Sequence, residues 1–269
     1  MREKIRKSGI EVIGNLPWGS HVCQLYRTRE ELFEILAAYY KAGLESNECC
    51  IYILPETISN QEFNEYLSRK IPQFKDFLNK RQIEVIPSPD WYLEGGNFDS
   101  QRVIRNWLVK LDTALSEGFE GLRISGNANR VKQNNLKEYM AYETGIHDII
   151  ARNRILALCS FSLETCTSAD IADMISTHEL ALLKRGTTWS VVENSSYKKA
   201  RKALEESEVK YHTLFDNMTE GFVLLEPLLN DNNQPYDYRV LEINKAGENL
   251  MNISRKVVSG KTMLEIAPR

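Results

Sequence analysis

Two residues with reactive side chains stand close together near the start of the chain, in the stretch PWGSHVCQLY over residues 17–26. His21 and Cys23 lie two positions apart in an apolar run that is typical of a buried strand. Because side chains alternate along a strand, both would face the same side of a sheet. Such a pair can ligate a metal ion, act in nucleophilic chemistry, or place polar groups in a ligand pocket.

A metal site built on this pair requires further ligands. Cys49 and Cys50 are adjacent and face opposite sides of their strand, so at most one of them could join, and Cys159, in another predicted strand, could lie near the pair. The paired spacings of structural zinc sites are missing, so His21, Cys23 and Cys159 stand as an alternative metal or redox site. His21 is not placed to take the proton of Cys23 as a catalytic dyad would. We assign no catalytic residue and no enzymatic activity to the chain as it stands.

Aromatic residues are predicted near strand ends and in the loops that follow them. Tyr26 ends the first long strand, and Trp91 and Tyr92 lie in a long predicted loop over residues 87–99. Small-ligand pockets are mostly apolar and aromatic with a few polar anchors, and Glu143 in a later helix is a candidate anchor. Core packing is the alternative for each residue taken singly. The predicted ligand-binding set is His21, Cys23, Tyr26, Trp91, Tyr92 and Glu143.

The connection between the first long strand and the helix after it argues against ATP hydrolysis. It reads LYRTREEL, without glycine and without a Lys-Ser or Lys-Thr pair. A phosphate-binding loop needs small residues, whose backbone N–H groups wrap the phosphates, and a lysine. A nucleotide-binding remnant without hydrolysis stays as an alternative. We assign no cofactor, and the expected ligand is an unknown small organic molecule.

The composition limits the partners and the compartment. The net charge of −3 and the pI near 5.9 lack the basic surplus of proteins that bind nucleic acid through phosphates. An odd number of cysteines, five, without a signal peptide indicates reduced thiols and a cytoplasmic location. We find no run approaching the ~18 apolar residues of a membrane span. We therefore expect neither direct nucleic-acid binding nor membrane insertion.

Residues 1–194 alternate strand patterns with helices of ten to twenty residues. This alternation predicts an α/β domain with a mostly parallel sheet and helices on both faces. In such folds ligands bind beyond the carboxyl ends of the strands. The predicted strands are 20–26, 48–56, 83–89, 121–128, 154–166 and 187–193, and the predicted helices are 29–46, 60–70, 99–118, 136–150 and 169–186.

The pattern changes at about residue 195. Residues 195–214 are highly charged and lack Gly and Pro, which predicts an amphipathic linker helix. Its apolar seam has heptad spacing, so it is either a single linker helix or a helix paired in a homodimer. The seam consists of Tyr197, Ala200, Leu204, Ser207, Tyr211 and Leu214.

The first 194 residues resemble the methanogen/methylotroph sensory domain, MEDS. The resemblance rests on G-x-x-P-W-G-S-H-x-C-x-x-Y over residues 14–26, on AGLESNECCIYI, and on SPDWYL, GLRISGNA, YMAYETGIHDI and ALCSFSLETC further along. It implies a domain with the fold of RecA/KaiC-like ATPases, without their phosphate-binding loop. It also implies sensing of simple hydrocarbon derivatives such as methylated one-carbon compounds. His21, Cys23 and Tyr26 are carried over as positions in the opening motif.

The end of the chain, residues 209–269, is similar to the first part of a PAS domain. The resemblance rests on ESEVKYHTLFDNMTEGFVLLEPL and on VLEINKAGENLMNISRKVVSGKTMLEI, with Asn244 and Ala246 in the turn after the second strand. About sixty residues correspond to the front of such a domain, so we read the chain as the start of a longer sensor.

Together the two resemblances imply a cytoplasmic signal-input module, as in archaeal and bacterial sensor histidine kinases. The ligand state would pass through the 195–214 helix to the PAS part and to an output domain, a histidine kinase, or to a response regulator.

Overall fold

The structure, a computed structural model, describes residues 5–126 and 136–267. The chain divides into two compact units, Met1–Ser195 and Ser196–Arg269. Within the described ranges no helix combines the length and the apolar character that crossing a membrane requires.

The described part of the first unit is centred on a seven-stranded sheet. Its strands lie in the order β5-β4-β6-β7-β3-β8-β9, and every neighbouring pair is parallel except β8 with β9. A separate antiparallel hairpin, β1 with β2, precedes it. The strands are β1 (Ile5–Lys7), β2 (Asn15–Pro17), β3 (His21–Tyr26), β4 (Cys49–Leu54), β5 (Ile83–Pro87), β6 (Leu122–Gly126), β7 (Ile155–Ser162), β8 (Leu180–Arg185) and β9 (Thr188–Glu193).

Helices cover both faces of this sheet, because its strands are apolar on both sides. Helices α1 to α3 pack on one face, around Tyr39, Tyr40 and Phe63, and α4 to α7 pack on the other, around Trp107 and Ile146. The helices are α1 (Arg29–Glu45), α2 (Asn60–Lys70), α3 (Phe74–Asn79), α4 (Ser88–Tyr92), α5 (Ser100–Ser116), α6 (Leu136–Arg152) and α7 (Ser168–Thr177). The predicted α/β fold with a mostly parallel, doubly covered sheet is confirmed.

The predicted helix over residues 169–186 is wrong in its second half. Helix α7 ends at Thr177, and Leu180–Arg185 form strand β8, which pairs with β3 on one side and β9 on the other. Gly186 lies in the turn between β8 and β9 rather than at a helix end. The run LALL suits either structure by its local pattern. Pairing on both edges buries Ala181 and Leu182, and this tertiary packing overrides helix propensity.

A buried arginine fastens the N-terminal hairpin to the sheet. Arg123 on β6 and Glu48 before β4 are both fully buried, with Arg123 Nε 2.5 Å from Glu48 Oε2. Arg123 also donates to the Ser8 carbonyl at 3.0 Å and the Lys7 carbonyl at 2.8 Å. The other oxygen of Glu48 accepts from Arg6 Nε at 2.7 Å. Two opposite charges can be buried when they are paired and hydrogen-bonded, but removing either one leaves the other buried and uncompensated.

The second unit begins with a long helix and continues as a strand hairpin with short helices. Helix α8 (Ser195–Asn217) covers the region predicted as the linker, and β10 (Val223–Leu229) and β11 (Pro235–Ile243) pair in antiparallel fashion. The small core holds Val240, Ile243 and Val258. The remaining helices are α9 (Lys245–Met251), α10 (Arg255–Val258) and α11 (Met263–Ile266).

Asn244 joins the parts of this second unit. It is fully buried, and its Oδ1 accepts from the backbone N–H groups of Phe222 and Gly247, each at 2.8 Å. Its Nδ2 donates to the Glu220 carbonyl at 2.8 Å. One side chain thus caps α9 and holds the entry to β10.

We expect Asn244→Ala to destabilise the second unit by about 2 kcal/mol, because it removes a helix cap and leaves buried N–H groups unpaired. Amide exchange of the full chain should be about 30-fold faster in β10 and β11. Asn217→Ala is the control, since its side chain makes an exposed bond to the Thr213 carbonyl within α8. Equal exchange in the two variants would contradict the role assigned to Asn244.

Candidate functional site

A small cavity lies in the first unit between the sheet and helices α5 and α6. Its volume is about 30 Å³, and a water-sized sphere takes roughly 10–15 Å³ of such a volume. It reaches the carboxyl end of β6 at Gly126 and extends beneath α6 over the face of the sheet. Its lining consists of His21, Tyr92, Trp107, Ile124, Ser125, Gly126, Tyr142, Glu143, Ile146, Ile150, Ala157, Leu158, Cys159 and Phe161.

Strand and helix periodicity place these side chains. On β7, Ala157, Cys159 and Phe161 follow the two-residue period that points alternate residues to one face. On α6, Tyr142 and Ile146 are one helical turn apart and both are buried. Because Ala157 carries only a methyl group, the floor of the cavity leaves space.

Three histidines and a cysteine meet at one side of the cavity. His21 Nε2 lies 3.2 Å from Cys159 Sγ. The rings of His21 and His178 have their centroids 4.3 Å apart, and those of His21 and His147 are 5.8 Å apart. One ligand atom from each of His21, Cys159 and His178 lies within 4.8 Å of the other two.

The tautomer of His178 follows from its backbone contact. Its Nδ1 lies 2.8 Å from the Met174 carbonyl oxygen, which can only accept, so Nδ1 carries the proton and donates. The other nitrogen, Nε2, is then an acceptor, and it is buried without a hydrogen-bond partner in the described structure. The Nδ1 atom of His21 is buried without a partner as well.

Burial keeps these groups neutral. Loss of hydration lowers the pKa of His21 well below its ordinary value, with smaller effects from His178 and His147. Burial also lowers the pKa of His178 to about 4. Loss of hydration raises the pKa of the Cys159 thiol, and the charges of Glu143 and Cys23 act in the same direction. His21 and His178 are therefore neutral imidazoles beside the protonated thiol of Cys159.

The sequence-predicted residues divide into those at the cavity and those elsewhere. His21, Tyr92 and Glu143 line it together with Cys159. Trp91 lies behind the wall, with its ring 4.3 Å from that of Trp107. Trp91 and Trp107 both belong to the hydrophobic core on this face of the sheet. The first part of the predicted 87–99 loop is helical in the structure, as α4 (Ser88–Tyr92).

Cys23 and Tyr26 do not line this cavity. Cys23 shares the sheet face of His21 but packs against Phe161 and Met174 in the core under α7. Tyr26 lies at an odd spacing from His21, so strand alternation turns it to the opposite face, against the core under α1. Cys23 also lies outside the group of possible metal ligands, which consists of His21, Cys159 and His178 instead of the predicted His21, Cys23 and Cys159.

His178 is the residue that sequence reasoning missed. It was assigned to the interior of a helix, whereas the structure places it at the junction of α7 and β8, with 2% of its surface exposed. The signal for this junction was the change from helical spacing to the run LALL before Gly186. The local pattern of that run fits a helix and a strand equally well.

The connection from β3 to α1 is closed by its own side chains. Thr28 caps α1 by accepting from the Glu31 backbone N–H at 3.2 Å. The Glu31 carboxylate accepts from the Arg27 backbone N–H at 2.8 Å. An acidic side chain thus binds the amide that would face an anion, which disfavours phosphate at this position.

Two solved structures resemble the first unit. The flagellar accessory protein FlaH from Methanocaldococcus jannaschii is 11% identical with a TM-score of 0.50, covering 72% of this chain and 90% of that chain. The KaiC-like protein PH0186 from Pyrococcus horikoshii OT3 is 12% identical with a TM-score of 0.48, covering 72% and 89%. The FlaH likeness shows the fold alone, and the predicted RecA/KaiC-like fold is confirmed. No curated protein matches the sequence.

A protein-family model matches residues 20–179, more than half of the chain. It describes the MEthanogen/methylotroph, DcmR Sensory domain. The match begins one residue before His21 and ends one residue after His178, so the three possible metal ligands His21, Cys159 and His178 all lie inside it. The MEDS part of the predicted resemblance is confirmed, and the PAS part stays a prediction. The chain therefore belongs to the MEDS family and carries a sensory domain.

Proposed function

We propose that the cavity under α6 binds the signal molecule, a one-carbon, methylated or otherwise very small hydrocarbon-derived compound. The size of the cavity carries this proposal. At about 30 Å³ it is far below the roughly 300–1,000 Å³ of pockets for drug-sized ligands. Aromatic rings of Tyr92, Trp107 and Tyr142 line it beside the polar groups of His21 and Glu143. That combination suits a molecule of a few heavy atoms with one polar end.

The cavity is connected by backbone hydrogen bonds to the point where the chain leaves the first unit. The Glu179 N–H donates to the His21 carbonyl at 3.0 Å, and the Asn194 N–H donates to the Glu179 carbonyl at 3.0 Å. The Asn194 side chain also donates to the Ser176 carbonyl at 2.5 Å. Helix α8 begins at the next residue, Ser195. A shift of His21 or His178 on ligand binding would therefore reach the start of α8.

In the proposed pathway α8 passes this change to the PAS-like part and onward to a histidine kinase or a response regulator. The seam residues Leu204, Tyr211 and Leu214 are exposed on α8, which supports pairing of two copies in a homodimer. The ligand must bind the two helix arrangements with different affinities, since only then does binding shift their populations. All five cysteines are free thiols, which suits a cytoplasmic location for the sensor.

Ligand binding is tested with the full chain and a panel of methanol, methylamines and methyl sulfides. Ligand at about a hundredfold excess over its Kd should stabilise the first unit by about 2.7 kcal/mol, a melting shift of about 5 °C or more. Tryptophan fluorescence follows this unit specifically, since all four tryptophans lie in it.

The matched variants are Ala157→Val and Ala181→Val. Both alanines are buried in neighbouring parts of the sheet, but only Ala157 lines the cavity. Ala157→Val should weaken binding at least about tenfold, because its added methyl groups take up the space for the ligand. Ala181→Val should retain the affinity. Absence of any thermal shift across the panel, or equal affinity in both variants, would count against the proposal.

A metal or redox sensor is the second candidate. The approach of His21, Cys159 and His178 favours a metal over a redox couple, because the partner of Cys159 is imidazole rather than a second thiol.

A further inference from the structure

We propose that His21, Cys159 and His178 form a binding site for one borderline transition-metal ion of the Zn²⁺ type, with a fourth coordination position on the side of the cavity. The three residues come from β3, β7 and the α7–β8 junction, which are neighbours in the sheet order. Their ligand atoms lie within 4.8 Å of one another.

The separations suit tetrahedral coordination. Zinc lies about 2.0 Å from histidine nitrogen and about 2.3 Å from cysteine sulfur, so ligand atoms in a tetrahedron are roughly 3.5 Å apart. His21 Nε2 and Cys159 Sγ are 3.2 Å apart. This separation is therefore close to the tetrahedral value, and the separations that involve His178 are at most 4.8 Å.

The surroundings of His178 match those of a metal ligand. Its Nδ1 donates to the Met174 carbonyl at 2.8 Å, which fixes the ring and leaves the lone pair of Nε2 available to a metal ion. That Nε2 atom is buried and has no hydrogen-bond partner in the described structure. Buried polar atoms are nearly always satisfied, and a metal ion supplies the missing partner.

The donor set selects the class of metal. Two imidazole nitrogens and one thiolate favour Zn²⁺, Co²⁺ or Cu⁺ over Mg²⁺ and Ca²⁺, which prefer oxygen ligands. On binding, the Cys159 S–H bond breaks, a sulfur–metal bond forms, and the proton passes to the buffer. One proton is released for each ion bound by this cysteine.

The fourth position would receive the signal molecule. Three protein ligands and one exchangeable position are typical of zinc sites that act on small molecules. His21 and Cys159 also line the cavity, so a molecule in the cavity would have access to an ion that they bind. This step rests on the proposed function, and it narrows the ligand class to molecules with a lone pair, such as alcohols, amines and thioethers.

The metal site is tested by titrating metal-free full chain with Co²⁺. We expect one ion per chain, release of one proton, and a thiolate-to-cobalt charge-transfer band. Cys159→Ser should abolish the band. Cys23→Ser should keep it, although Cys23 lies directly opposite Cys159 in the register of β3 and β7.

Two further variants protect the test against a folding defect. His178→Ala should weaken Co²⁺ binding at least about a hundredfold, whereas His212→Ala on the exposed side of α8 should leave it unchanged. Circular dichroism confirms the fold of each variant. A wild-type chain without stoichiometric cobalt, or a band that survives Cys159→Ser or disappears in Cys23→Ser, overturns the proposal. The readout uses no organic ligand, so a metal-binding chain that ignores the whole panel would contradict only the proposed function.

Discussion

Replacing Glu48 with glutamine is expected to lower the free energy of unfolding of the first unit by about 3 to 5 kcal/mol, because it leaves Arg123 as an uncompensated buried charge. Both side chains are fully buried, so water cannot take the place of the carboxylate. Glutamine keeps the volume of glutamate, which confines the change to the charge. Urea unfolding followed by tryptophan fluorescence measures the loss.

The control for this change is Glu34→Gln. Glu34 pairs with Lys184 at 2.9 Å at the surface, where its side chain is 49% exposed, and such pairs contribute about 0–1 kcal/mol. In a double-mutant cycle, Glu48→Gln with Arg123→Met should cost less than the sum of the two single changes. If the two variants lost the same free energy of unfolding, the buried pair would contribute no more to stability than the surface pair.

Gly9→Ala is expected to be the second most disruptive change, costing about 2 to 5 kcal/mol. Gly9 has a φ of +82°, and an added Cβ would lie 2.0 Å from the Ala38 carbonyl oxygen on α1. Strain in this backbone region costs roughly 1–2 kcal/mol for an L-residue, and displacing packed neighbours costs roughly 1–3 kcal/mol more. The same fluorescence-monitored unfolding applies.

Gly95→Ala separates the two contributions. Gly95 has nearly the same φ, +78°, but nothing lies within 4 Å of its added Cβ. It should therefore cost only the backbone strain, roughly 1–2 kcal/mol. If the two alanine variants were equally stable, the close approach of the N-terminal segment to α1 would not contribute.

Local patterns predict six of the seven strands of the main sheet and the longer helices that cover it, but not the hairpin of β1 and β2 or the short helices α3 and α4. Buried parallel strands are continuous apolar runs, and the amphipathic helices between them repeat every three to four residues, so the two signals are distinct. They failed at Leu180–Arg185, where the pairing partner β9 decides the outcome. Strand β9 follows β8 in the sequence, but β8 becomes a strand because it also pairs with the edge of β3, and local pattern does not reveal that pairing.

The candidate site was predictable only in part, because it depends on which strands are neighbours. The H-x-C spacing correctly places His21 and Cys23 on one face, yet it does not reveal that β7 lies beside β3 and brings Cys159 within 3.2 Å of His21. The third member, His178, depends on a helix end that only tertiary packing sets. Tyr26 shows the converse: its position near the strand end suggested a pocket, but alternation turns it to the other face.

Arg123 also limits when the N-terminal hairpin can complete its contacts during synthesis. Ser8 leaves the ribosome before Arg123, which binds its carbonyl and lies 115 positions later in the chain. At roughly 5–20 residues per second, many seconds separate their synthesis, and contacts of such separation form late. The hydrogen bonds from Arg123 to the N-terminal hairpin can therefore form only after β6 has taken its place between β4 and β7. During synthesis, this segment is made well before the arginine that completes its attachment to the sheet.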